Sequence, residues 1–163
     1  MNRRKALKFG AASLVGLTAA KVVIAQTSGD ESQASFDTVM VFMGAMGSGD
    51  MDAMSALMAQ DMVWMNDGDT SLPWIGTWSG KDEVFEFLGV FSSNFQATLW
   101  ENTDAFASGD TVAVFGRMKG ITAKSGQETP EFSFGLRAKV RDGQVVLWNW
   151  FEDSFAVSQA YHA

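Results

Sequence analysis

The sequence predicts an α+β domain in which helices pack on one face of a curved, mostly antiparallel sheet. Three observations carry this. Apolar residues recur at helical spacing only in the first half of the exported chain, and four long segments with strand-like patterning and turn signals between them fill the second half. Third, no period of 20–50 residues repeats, which excludes a solenoid or propeller. The 163 residues contain 47% hydrophobic and 19% charged side chains, proportions of one globular domain rather than of a disordered tail.

Residues 1–25 read as an address. Arg3, Arg4, Lys5 and Lys8 are basic, Phe9 to Ala20 is apolar, and Val23-Ile24-Ala25 sets small residues before a cut at Gln26. Arg3, Arg4, Leu7 and Lys8 match a twin-arginine leader, with Ala6 where that pattern has Phe. The apolar run is shorter than the ~20 residues of a spanning helix, and no Cys stands at the cut, so no stable membrane anchor is expected. The expected location is periplasmic or secreted. A cysteine-free chain fits export, since it needs no oxidation afterwards. Removing the leader leaves 7 basic residues against 19 acidic ones, a balance of −12. Such a surface repels phosphate backbones and anionic lipid, so nucleic acid is not an expected partner.

Residues 26–35 are polar and are expected to form a flexible linker ahead of a domain spanning 36–163. Phe36, Val39, Met40, Met43 and Met46 predict a first helix, stopped at Gly47-Ser48-Gly49. Asp50 caps a second with Met51, Met54, Leu57 and Met58 on one stripe. Met62–Met65 is a short strand, residues 66–80 a loop, and Val84, Phe85, Leu88 and Phe91 give a helix over Lys81–Phe91. Strands follow at Phe95–Phe106, Thr111–Ala123, Glu131–Arg141 and Val145–Glu152, separated by turns at Ser108-Gly109-Asp110, Lys124-Ser125-Gly126 and Asp142-Gly143. His162, the only histidine, is expected in a frayed tail.

In order and spacing, Gly49-Asp50-Met51-Asp52, Gly76-Thr77-Trp78-Ser79-Gly80-Lys81, Gly109-Asp110-Thr111-Val112 and Asp142-Gly143-Gln144-Val145 leading to Phe151-Glu152-Asp153 resemble the nuclear transport factor 2-like superfamily, in its SnoaL-like or ketosteroid-isomerase-like branch. The resemblance covers about residues 34–160. It implies a cone enclosing one pocket, commonly in a homodimer, but no single reaction. By this resemblance the isomerase base falls on Asn66, with Asp67 adjacent, and the two proton-donor positions fall on Phe42 and Leu136, which have no proton to donate. The epoxide hydrolase positions fall on Arg117, Lys119 and Trp150, where both required carboxylates are missing.

These losses favour an exported binder of a hydrophobic small molecule in an aromatic pocket. The expected lining is Phe42, Trp64, Phe115, Lys119, Phe134, Leu136, Trp148 and Trp150. Whether the protein is also an enzyme stays open. The alternative is an isomerase, cyclase or lyase acting on a hydrophobic carbonyl compound, with Asp67 or Glu152 as base and Arg117 stabilising an enolate. Asp67 and Asp69 beside Gly68 are most simply turn formers, and Trp148 and Trp150 are equally plain core. Met40, Met43, Met46, Met51, Met54, Met58, Met62 and Met65 crowd one region. Their spacing is that of helix faces, with Cu(I) binding as the sharper alternative. No cofactor is expected, and there is no other metal-ligand set.

Overall fold

The computed structural model describes the backbone of residues 15–163 and the side chains from residue 29 onward. The twin-arginine motif lies outside the described residues. Helix α1 (Val15–Ser48) and the short α2 (Met51–Leu57) precede β1 (Met58–Asp67) and β2 (Gly76–Ser79). Helix α3 (Lys81–Asn94) leads into β3 (Phe95–Ser108), β4 (Thr111–Thr122), β5 (Phe132–Arg141) and β6 (Gln144–Glu152), and α4 (Ser154–His162) closes the chain. The six strands form one sheet in the order β2-β1-β6-β5-β4-β3. Every pairing is antiparallel except that of β1 with β6. Among the described residues no helix is long and apolar enough to cross a membrane.

Local chemistry accounts for the boundaries. The Asp50 carboxylate accepts from the Ala53 N–H at 2.9 Å and caps α2, as its position predicts. Asp142 and Gly143, at φ 52° and 72°, make the two-residue turn between β5 and β6, a left-handed conformation that an Asp-Gly pair adopts readily. One face of the sheet carries the core. Val112, Val114 and Met118 of β4, Phe132, Phe134, Leu136 and Ala138 of β5, and Val145, Trp148 and Trp150 of β6 are buried there, beneath Val39, Phe42 and Met43 of α1 and Val84 and Phe87 of α3.

Three expectations need correction. The stretch read as a linker is helical. Ser35 is buried, and the Ser32 hydroxyl accepts the Gly109 N–H at 2.8 Å, so contact with the β3–β4 turn orders a segment that its polar composition alone would leave loose. The loop at 66–80 contains β2, which pairs with β1 from Val63↔Ser79 to Asn66↔Gly76. The tail is helix α4, capped by the Asp153 carboxylate on the Ala156 N–H at 3.2 Å and anchored by buried Val157 and Tyr161, one helical turn apart.

Candidate functional site

Between the core face of the sheet and the helices lies a cavity of about 780 Å³. Trp64, Trp148, Trp150 and Met118 form its floor, Phe95, Ala97, Trp100 and Asn102 its β3 wall, and α1 and α3 its remaining sides. Among the described residues the lining holds no charged side chain. Its polar side chains are Asn66, Ser92 and Asn102, beside the tryptophan indoles. This is the composition of a site for an apolar molecule fixed by a few hydrogen bonds.

The tryptophans are set by a repeated local device. Side chains two apart on a strand share a face. Trp64 Nε1–H donates to Asn66 Oδ1 at 2.8 Å, Trp100 Nε1–H to Asn102 Oδ1 at 3.1 Å, and Trp150 Nε1–H to Glu152 Oε2 at 2.8 Å. Each bond satisfies an indole and fixes its plane. Ring contacts extend the wall: Trp64 stacks on Trp148 at 5.2 Å between centroids, and Trp150 on Phe134 at 4.5 Å. Asn66 is 4% exposed; with Oδ1 held by Trp64, its Nδ2 protons have no partner among the described residues. The fully buried Trp148 Nε1–H also has none. The Asn66 amide is therefore the donor that a ligand's acceptor would meet, whereas Trp148 Nε1–H, with no accessible surface, is closed off from the cavity.

Of the expected lining, Trp64, Trp148 and Trp150 reach the cavity. Phe42 and Phe134 stand directly behind it, Phe42 against Trp148 at 5.0 Å, and Leu136 is core. Phe115, Arg117 and Lys119 do not share that wall. In the β4–β5 register Gly116 pairs with Phe134 and Val114 with Leu136, so those three side chains project from the opposite face. There Phe115 is 45% exposed beside Phe106. Arg117 donates to Glu101 at 2.6 Å and Glu131 at 2.9 Å, and Lys119 to Glu128 at 2.6 Å. The hydrogen bond to Glu101, followed by the charges of Glu101 and Glu131, holds the Arg117 pKa above its ordinary value. It is an exposed ion pair, not a clamp on a ligand in the cavity. Asp67 likewise points away. Its neighbour Asn66 faces the cavity, whereas Asp67 is exposed and accepts a hydrogen bond from Asn149 Nδ2 at 3.3 Å.

Glu152 is the one expected acidic residue on the cavity side, behind Trp150 rather than in the lining. Burial of its carboxyl raises its pKa above the ordinary 4.5. The hydrogen bond from Trp150 opposes this, as to a lesser extent does the nearby Trp74 indole, although Trp74 Nε1–H completes no hydrogen bond. The folded chain thus binds this proton more tightly than the unfolded chain does. The stabilisation is complete below pH 4.5 and is lost as pH rises through the folded value. Glu152→Gln keeps an acceptor for Trp150 and removes the charge. The variant is expected to melt with the wild type near pH 4 and above it at pH 8; coincident melting temperatures across that range would contradict a desolvated carboxylate.

Two other clusters invite a chemical reading. His162 Nε2 lies 3.0 Å from Ser71 Oγ, the spacing of a base and nucleophile, but Lys124 Nζ sits 2.9 Å from Nδ1. The ammonium donates to Nδ1, so Nε2 carries the ring proton and donates to Ser71; the imidazole is not placed to take the serine proton. His162 is thus a tether of α4 rather than a frayed end. Among the methionines, Met40, Met43, Met46 and Met51 line the cavity with Met118, while Met54, Met58 and Met62 are core. Among the described residues no group of His, Cys, Asp and Glu is arranged to hold a metal ion.

The geometry agrees with what the chain is similar to. Residues 39–148 match the model of the SnoaL-like domain. A nuclear transport factor 2-like protein from Burkholderia xenovorans LB400 superposes with a TM-score of 0.73 at 25% identity, over 80% of this chain and 97% of that one. An LEH-like epoxide hydrolase of M. tuberculosis gives 0.63 at 18% identity, over 81% and 92%. TerC, co-crystallized with polyporic acid, gives 0.68 at 19% identity, over 80% and 99%. The last two share the fold. No curated protein matches the chain. With the family model covering well over half of its length, the chain belongs to the SnoaL-like domain family.

Proposed function

We propose that the protein binds a neutral, largely apolar small molecule bearing a hydrogen-bond acceptor, and that it does so after export to the periplasm. The observation that carries this is the uncharged, aromatic cavity in which Asn66 offers a free amide donor. Among the described lining residues an anion would find no counter-charge and a cation no carboxylate. A carbonyl oxygen would satisfy the Asn66 amide. The basic leader at residues 1–25 supports export. The outer face of the sheet supports a homodimer: Phe106, Phe115 and Phe151 are 60%, 45% and 46% exposed, and Phe115 and Phe151 flank Gly135 in neighbouring strands.

The test is titration of 1-tetralone, a neutral two-ring ketone, into the full chain, read by quenching of tryptophan fluorescence. Saturable binding is expected, with Asn66→Leu weakening it about tenfold, the worth of one hydrogen bond. Equal affinity of Asn66→Leu would remove the donor from the site.

A second reading, an isomerase, cyclase or lyase, is favoured by Glu152, whose carboxyl pKa is raised by burial and which accepts a hydrogen bond from the cavity-lining Trp150 indole. Its signature would be exchange of the ketone's α-protons in D2O by the wild type and not by Glu152→Gln. No exchange by the wild type would leave binding alone.

A further inference from the structure

Both helices that flank the cavity present the same pattern to it. Met40, Met43, Gly44 and Gly47 line it from α1, at positions i, i+3, i+4 and i+7. Phe85, Leu88, Gly89 and Ser92 line it from α3 at the same spacing. Each stripe has glycine at its third place. Neither Gly44 nor Gly89 has a left-handed backbone, and a Cβ built on either meets nothing within 4 Å. No turn, close approach or packing contact therefore requires glycine there. In the interior of a helix glycine is among the least favourable residues, and alanine would fit without a clash. Both positions are exposed and line the cavity, so a side chain at either would occupy the open space at its rim.

We infer that Gly44 and Gly89 determine ligand size: by leaving their positions empty they keep the cavity wide enough for a flat molecule of several fused rings, lying between α1, α3 and the tryptophan floor. The inference rests on the binding reading above and adds the extent of the ligand to its polarity. The Asn66 amide, on a side chain more than nine-tenths buried and lining the cavity with no partner for its Nδ2 protons among the described residues, is an independent sign that the space is meant to be filled by something carrying an acceptor. Two glycines kept against helix propensity fit a site that gives up stability for function.

The test compares two neutral ketones, 1-tetralone with two rings and benzanthrone with four, on the full chain and on Gly44→Leu and Gly89→Leu. Leucine is a better helix former than glycine, so both variants are expected to fold and to melt no lower than the wild type. Gly44→Ala and Gly89→Ala should melt about 3 °C higher each. The wild type is expected to bind both ketones. Each leucine variant should lose about tenfold or more in benzanthrone affinity while holding 1-tetralone within about threefold. Unchanged benzanthrone binding by both variants would overturn the size role and leave the binding reading intact. Equal loss of both ketones would also overturn it, since the glycines would then guard access rather than extent. If the wild type bound neither ketone, the binding reading itself would fall and this inference with it.

Discussion

Trp148→Ala is expected to cost about 3–5 kcal/mol of folding stability, the range for losing a fully buried large aromatic side chain. Trp148 is 0% exposed. It sits where the parallel β1–β6 pairing sets Trp64 beside it, and its ring is packed by Phe42 at 5.0 Å and Trp64 at 5.2 Å. The cost lies at the high end because the indole also floors an existing cavity of about 780 Å³. The atoms around a void cannot close on it from both sides, so the removed volume stays empty. Trp148→Phe provides the contrast. It retains most of the ring packing and removes a buried N–H that has no partner among the described residues, so about 1 kcal/mol or less is expected. Equilibrium urea unfolding at neutral pH measures both, in a cysteine-free single domain suited to two-state treatment. A loss under about 1 kcal/mol for the alanine variant would mean that the β1–β6 pair is not the centre of the core.

The contrast between what the sequence made legible and what it hid has a physical origin in strand phase. Element order, the Asp50 cap and the Asp142-Gly143 turn were readable because capping and turn chemistry are local. Which face of β4 is inward was not. Its core-facing set is Val112, Val114, Gly116, Met118 and Gly120, and the two glycines hide the apolar phase, so the large apolar Phe115 marks the wrong face as the inner one. A slip of one residue moves every side chain to the other side, which is how Arg117 and Lys119 came to be expected in the cavity. The same slip separates Asn66, which faces the cavity, from Asp67, which does not. One signal for the site does lie in the sequence: Trp64-x-Asn66, Trp100-x-Asn102 and Trp150-x-Glu152 each set an indole N–H beside an acceptor on one strand face. That recurrence marks three cavity-lining tryptophans at once. Helix α4 was missed because its anchors, Val157 and Tyr161, are few and its cap, Asp153, closely follows a strand.

Those hidden glycines also give the second large effect. Gly116→Ala is expected to cost about 3 kcal/mol, at the upper end for overpacking a closed site. A Cβ there would stand 2.2 Å from the Glu101 carbonyl oxygen and 2.5 Å from Phe134 Cζ. The first obstacle is backbone in the β3–β4 ladder, where Gly116 pairs with Asn102, and it moves only if the ladder opens. The second is a ring already confined by Trp150 at 4.5 Å and Trp100 at 5.4 Å. Relief through β3 displaces Trp100 and Asn102, and relief through Phe134 displaces Trp150. Either way a cavity wall moves, so the variant should lose ketone binding together with stability. Gly135→Ala is the control on the opposite face of the sheet. Its Cβ would meet only the exposed Phe115 ring, at 3.4 Å, and less than about 1 kcal/mol is expected, with binding unchanged. If the two alanine variants melted alike, the inward phase assigned to Gly116 would be wrong, and with it the separation of Arg117 from the cavity. The stability difference between two glycines in adjacent strands therefore reads out which face of this sheet holds the site.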